Sequence, residues 1–356
     1  MNTRNLRLLS QPTTTGGGAE LGIGPAHAAR FALGTLRPGA DPRFTGEVSL
    51  FDPRAAGYQD PILATANGSA GSKLKIAIAT GQHEAIGMDL VANTANALLA
   101  HGAEPLSFHY HHTCGSADPA TTDRLLAGLA EGCRLAGAAL AGGQTAILPG
   151  VFEAGEYDLS GYCSGTVERA GLLPRFDCAE GDVLLGLAAS GPHAHDFSLI
   201  RRIVSNAGLG YRDPAPFAPN QPLAQALMQP TRAYAQVVGA MLRSTSAIKG
   251  IAPIAAGGLQ AGLARMLPAP MAARVDLSSW RLPALFQWLQ QTGNLLTEDM
   301  TAHFNCGLGL VLVVDKLRTV SALKALRDLG EKPLAIGTLV NRLGGDPVRF
   351  SGAFGA

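Results

Sequence analysis

Apolar positions recur along the chain with two different periods, and the alternation between those periods outlines the fold. Between His83 and His101, the apolar residues Ile86, Leu90, Val91, Ala95, Leu98 and Leu99 follow helical spacing. Gly102 stands where a left-handed cap would end that helix. Residues 121–136 form a second amphipathic pattern. Strands are expected over 61–66, 106–113 and 157–167, with a short buried one over 138–140 that runs into Gly142-Gly143. The stretch Asn67-Gly68-Ser69-Ala70-Gly71 reads as a turn. After a break over 171–181 the alternation resumes, with strands at 182–188, 247–251, 308–314 and 333–339. Helices are expected over 197–207, 232–242, 282–291 and 320–329.

This order predicts an α+β or mixed α/β protein of two domains. The expected boundaries are a partly flexible lead-in over 1–58, an N-terminal domain over 59–172, a C-terminal domain over 173–345 and a tail over 346–356. The lead-in contains the glycine run Gly16-Gly17-Gly18. No low-complexity linker separates the domains, so a shared interface holding the ligand is expected.

Composition narrows the partners. Hydrophobic residues make up 47% of the 356 positions and charged ones 15%, as in a compact folded chain. A formal net charge of +1 supplies no global attraction to nucleic acid or acidic membranes. The longest apolar run, 308–314, is too short to cross a bilayer, and residues 1–15 lack the apolar stretch of a signal peptide. Five widely spaced cysteines without a C-x-x-C pair make neither a disulfide framework nor a zinc knuckle. A reduced, cytoplasmic location is the expectation.

Several blocks, in order, resemble the aminoimidazole ribonucleotide synthetase (phosphoribosylformylglycinamidine cyclo-ligase) family. They include Gly68 through Ser72-Lys73-Leu74, Ile86-Gly87-Met88-Asp89-Leu90-Val91, Gly102-Ala103-Glu104-Pro105-Leu106 and Gly142-Gly143-Gln144-Thr145. The second half adds Ser190-Gly191-Pro192-His193, Pro230-Thr231-Arg232-x-Tyr234 and Phe304-Asn305-Cys306-Gly307. The resemblance implies an N-terminal sheet that pairs with its twin across a homodimer, a C-terminal α/β domain, and a cleft between them for ATP and a small-molecule substrate. It also implies ATP-dependent phosphorylation of an amide oxygen followed by imidazole ring closure, with Mg2+ bridging the phosphates. Nucleotide- or substrate-binding roles fall to Asn67, Gly68, Lys73, Asp89, Asn96, Gly142, Gly143, Gln144 and Thr145. Catalytic roles fall to His193 and Asn305.

The same blocks depart from the family at its acids. Asn67 stands where D-G-V-G-T-K-L has Asp, Ala97 replaces the Asp of V-N-D, and Gln144 replaces the Glu of G-G-E-T. An amide oxygen can ligate magnesium but brings no countercharge, so ordinary Mg-ATP chemistry is not expected. Asp89 can equally be a buried hydrogen-bonded acid, and Lys73 either a phosphate contact or a solvated lysine. His195 and Asp196 replace the family's Asn-Gly and join His193 as candidate catalytic groups. His109 and His111 fall on one strand face. They are candidate metal ligands if a third, such as His193 or His195, approaches; otherwise they are packing groups.

Three readings remain open from sequence. They are an enzyme of the family with altered substrate or chemistry, a catalytically silent relative that binds a metabolite or protein, and a magnesium-independent enzyme working through the histidines.

Overall fold

A computed structural model describes residues 51–355. The expected glycine-rich lead-in lies outside the described residues. The first domain is a four-stranded sheet with helices on one face. Its strands are β1 (Pro61–Ser69), β2 (Glu104–Cys114), β3 (Ala139–Ile147) and β4 (Tyr157–Glu168), in the order β1-β4-β2-β3. All pairs are antiparallel except β2–β3, which is parallel and crosses over through a helix. The helices are α1 (Leu74–Thr80), α2 (Glu84–Leu99) and α3 (Pro119–Ala136).

Local chemistry sets these helix ends. Asp118 accepts the Ala120 amide at 3.1 Å and Pro119 opens α3, while Gly137 closes it at φ 70°. α2 and α3 pack backbone to backbone. A Cβ on Gly128 would sit 2.0 Å from the Glu84 carbonyl oxygen, so that crossing requires glycine.

Two strands extend beyond their expected limits. Asn67, Gly68 and Ser69 are the last residues of β1, paired with Tyr162, Gly161 and Ser160, and do not form a turn. Likewise β3 continues through Gly142-Gly143 to Ile147 instead of stopping at 140. The reason is packing from within. The Tyr110 ring lies on Gly143, where a Cβ would come within 2.3 Å of it.

The second domain has a six-stranded mixed sheet. It is built from β5 (Val183–Ala188), β8 (Ile248–Pro253), β9 (Met271–Asp276), β10 (Leu308–Val314), β11 (Leu334–Asn341) and β12 (Val348–Ser351). Their order is β12-β9-β11-β5-β10-β8. A small hairpin, β6 (Pro214–Ala215) with β7 (Ala218–Pro222), stands apart. The helices are α4 (Phe197–Asn206), α5 (Leu223–Leu227), α6 (Ala235–Ser244), α7 (Gly258–Met266), α8 (Ala284–Gly293), α9 (Thr297–His303) and α10 (Thr319–Asp328). Every residue of β10 is buried, which explains its unbroken apolar sequence. β12 pairs with β9, so part of the stretch expected as a tail is a sheet strand. α6 begins at Ala235, not 232, because residues 229–234 form a non-helical strap bonded to the first domain.

The core of the first domain contains a polar pocket. His112 is buried beside Tyr157 with its Nε2 unpartnered, and burial, reinforced by His111, pushes its pKa down to about 4. The unfolded chain therefore binds this proton more tightly than the folded one between pH 6.5 and 4. Stability should be flat above pH 6.5 and fall by about 3 kcal/mol from this residue as pH drops to 4. Urea midpoints measured across that range should show the fall, and His112→Phe should make it shallower.

Candidate active site

The domains meet along α2. Lys73, on the turn leading into α1, points inward with 0% side-chain exposure and meets Asp89 of α2, 1% exposed, at 2.8 Å. The Lys73 ammonium also donates to the Gln229 carbonyl at 2.8 Å and lies 5.4 Å from the centre of the Phe197 ring. The other Asp89 oxygen accepts both the amide and the hydroxyl of Thr231, each at 2.7 Å. About two turns further along α2, Asn96 donates to the Arg232 carbonyl at 2.8 Å and accepts the Tyr234 amide at 3.0 Å. Burial pulls the Lys73 ammonium below the usual lysine range, and Asp89 opposes that. Lys73 is thus neither solvated nor open to a phosphate. It joins Asp89 and Asn96 in clamping the strap of the second domain onto the first.

Beside the strap lies the loop that carries the histidines, residues 190–196. Ser190 donates to the Pro230 carbonyl at 2.5 Å, and Asn305 donates to the Gly191 carbonyl at 2.9 Å while accepting the Gly307 amide. Asn305 therefore braces the loop. His193 adopts a left-handed backbone, φ 60°, that turns its ring into the interior. It packs over Gly309, where a Cβ would lie 2.5 Å from the ring and 2.1 Å from the Tyr234 hydroxyl. That hydroxyl donates to the Ala188 carbonyl at 2.7 Å. His193 is 2% exposed, and its Nε2 has no partner. Burial above all, then His195, Lys73 and Arg232, push its pKa down to about 3, so the ring is neutral. His195 is also shifted down by burial. Asp196, again left-handed at φ 55°, faces His303 at the end of α9, with Oδ1 and Nδ1 3.2 Å apart.

The remaining sequence candidates lie on the first sheet and divide between its faces. Asn67, His109 and His111 point outward, in rows with Tyr162 and Ser160, and Gln144 is exposed at the β3 edge of the same face. Gly68 and Thr145 point inward. Gly68 rests on Thr94 and Leu90 of α2, and Thr145 lies 3.5 Å from His112. Gly142 and Gly143 are strand residues, the second filled from behind by Tyr110. Among the described residues no third metal ligand is grouped with His109 and His111, and no cluster of three or more His, Cys, Asp or Glu is placed to hold a metal.

The fit to magnesium fails on the same ground. Asn67 and Gln144 present amides to solvent and Ala97 presents a methyl group, so these positions offer a hard dication no charge. A cavity of about 510 Å3 opens elsewhere along the domain seam, lined in part by Leu99, Leu173, Leu242 and Ile248. None of the sequence candidates lines it. Its acids are engaged, Glu104 with Arg243 and Glu168 with the amides of Gln59 and Asp60.

Thr231, Arg232 and Tyr234 had a sequence signal in the P-T-R-x-Y block but were not read as site residues. Arg232 is ion-paired with Glu331 and stacks on Tyr234. His303 gave no signal, being 107 residues from the acid it meets. Removing the Asp89 carboxylate would leave the Lys73 ammonium buried without its counterion. Asp89→Ala should cost about 3–5 kcal/mol of stability in urea unfolding. Lys73→Met should cost less than Asp89→Ala, and a phosphate-binding role would instead leave its stability unchanged.

Residues 57–167 match AIR synthase related protein, N-terminal domain, and residues 179–347 match AIR synthase related protein, C-terminal domain. Thiamine-monophosphate kinase from Stenotrophomonas maltophilia K279a superposes with a TM-score of 0.69 at 18% identity, covering 95% of this chain and 100% of that one. The hydrogenase maturation protein HypE of E. coli gives 0.64 at 19%, covering 92% and 93%. HypE in complex with ATP gives 0.63 at 17%, covering 91% and 89%. These similarities describe the fold. With both domain matches in order along the chain, this protein belongs to the AIR synthase-related family.

Proposed function

We propose that this protein is a divergent relative of the cyclo-ligases that acts on a small amide- or amidine-bearing molecule at the histidine loop, without ordinary Mg-ATP chemistry. The observation that carries this reading is the buried, unpartnered Nε2 of His193 in a loop that Asn305 and Ser190 hold in place. A buried polar atom left unpaired costs about 1–3 kcal/mol, and a ligand oxygen or nitrogen bound there would recover it. As a neutral imidazole, His193 can donate or accept one hydrogen bond at Nε2, depending on its tautomer. His195 and Asp196 line the same loop.

The missing acids at 67, 97 and 144 support the second half of the proposal. ATP binding is ancestral in this reading, since a relative is known in complex with ATP. Calorimetric titration with ATP, with and without magnesium, tests it. Weak binding or none, unchanged by magnesium, is expected. A magnesium-dependent gain of tenfold or more would restore the ATP-driven reaction.

We further propose that a second copy of the chain covers the outward face of the first sheet. That face exposes Leu63 at 71% and Tyr162 at 51%, flanked by His109, His111 and a row of serines and threonines. An open sheet face carrying large apolar side chains favours association with another surface. Light scattering should report a dimer, and Tyr162→Asp should shift it toward monomer. A wild-type monomer at micromolar concentration would remove this proposal.

A further inference from the structure

The cavity of about 510 Å3 along the domain seam is walled by both domains. Glu104, the first residue of β2, lines it from the first domain, and Arg243, near the end of α6, lines it from the second. We propose that this cavity binds an apolar α-amino acid. Glu104 receives its ammonium group, Arg243 its carboxylate, and the apolar wall its side chain. No residue of the histidine loop lines the cavity, so the proposal does not depend on what that loop binds.

The walls are built before any ligand arrives. Leu99, Leu173 and Ile248 line the cavity and are buried in the core, so close packing fixes them. Ala235, Gly239, Leu242 and Arg243 come from one face of α6 at helical spacing. Gly239 keeps that face open. A Cβ there would meet guanidinium atoms of Arg243, the closest at 3.2 Å, so the arginine folds back over the missing side chain. A cavity of this size and lining suits a small, largely apolar molecule fixed by a few polar groups.

The charges narrow its class. Asp177 holds Arg175 through two contacts of 3.0 Å, and Glu168 accepts the amides of Gln59 and Asp60. Arg243 reaches an acceptor among the described residues only through Nη1, 3.5 Å from Oε1 of Glu104, at the outer limit of a hydrogen bond. The rest of its planar fork of donors matches a carboxylate. Glu104 accepts the Tyr58 hydroxyl on Oε2 at 2.9 Å. A carboxylate accepts several hydrogen bonds at once, so Glu104 can keep its partners and still take an ammonium.

A simple anion would be drawn to Arg243 and repelled by Glu104, and a simple cation would meet the reverse. A ligand with both charges on neighbouring atoms satisfies both side chains, which stand only 3.5 Å apart. Both are partly exposed, Glu104 by 34% and Arg243 by 64%, so their charge contacts are softened by solvent. Burial of the ligand's side chain must then supply much of the affinity, which favours large apolar amino acids over small ones. Because each domain supplies one of the charges, a bound ligand also ties the domains together and stabilises the folded chain by mass action.

Calorimetric titration of the full chain with L-leucine and L-phenylalanine tests the site. Glycine lacks the side chain, isocaproate the ammonium group and isopentylamine the carboxylate. Leucine or phenylalanine should bind at least about tenfold more tightly than any of these three, and should raise the thermal midpoint. Arg243→Gln and Glu104→Gln should each weaken binding by about tenfold. Gly239→Leu should fill the cavity and abolish binding. Leucine is the better helix former and displaces only the end of a flexible side chain, so this variant should fold, and its thermal midpoint checks that. Arg243 is largely exposed, so Arg243→Gln reads the site even where Gly239→Leu fails to fold. No binding of either amino acid at millimolar concentration would overturn the proposal. Isocaproate or isopentylamine binding as tightly as leucine would overturn the paired-charge recognition. Binding undiminished in both Arg243→Gln and a folded Gly239→Leu would overturn its placement in this cavity.

Discussion

Lys73 and Asp89 meet at 2.8 Å in a place that water scarcely reaches, and two ions so placed are tolerable only if their other bonding positions are filled. The strap over residues 229–234 fills them, with the Gln229 carbonyl for the ammonium and the amide and hydroxyl of Thr231 for the carboxylate. The first domain thus carries a charge pair that only the second domain completes. The relative placement of the domains and the start of α6 both follow from that requirement. Arg232 and Tyr234 continue the strap and reach the Ala188 carbonyl at the base of the histidine loop.

This arrangement changes what the inherited residues mean. Lys73, Asp89 and Asn96 look from sequence like parts of a nucleotide site, yet their polar atoms are committed to the seam. Asn67 and Gln144 keep the shape of the family's carboxylates, and both face outward without the charge.

Periodicity made most elements legible. The 308–314 run needed no context, because a strand buried on both faces must be apolar throughout. The helix at Glu84–Leu99 and its glycine stop were likewise readable from spacing alone. Sequence reading failed where distant partners decide. The strand expected over 138–140 extends through Gly142-Gly143 because the Tyr110 ring claims the space at Gly143, which nothing nearby in sequence reveals. Residues 232–234 looked helical because Asn96, which bonds the Arg232 carbonyl and the Tyr234 amide, is 138 positions from Tyr234. Asp196 was visible as a candidate, but its partner was not. β9 and β12 escaped notice because their short segments carry too few apolar positions to establish a period.

The order of strands in the second sheet has a consequence for how the protein is made. The first sheet is complete once residue 168 has been synthesised, since all four of its strands precede that point. In the second sheet the inner strand β5 is translated first, but its neighbours β10 and β11 begin more than a hundred residues later, and β12 follows last. During that interval β5 waits on the ribosome with both hydrogen-bonding edges open, an exposed apolar strand of the kind that invites misassembly. The Lys73–Asp89 pair also waits, unsatisfied, until the strap emerges. Nascent chains of this protein therefore pass through a stage in which one domain is built and the other is held only by its sequence, which is when a chaperone would matter most.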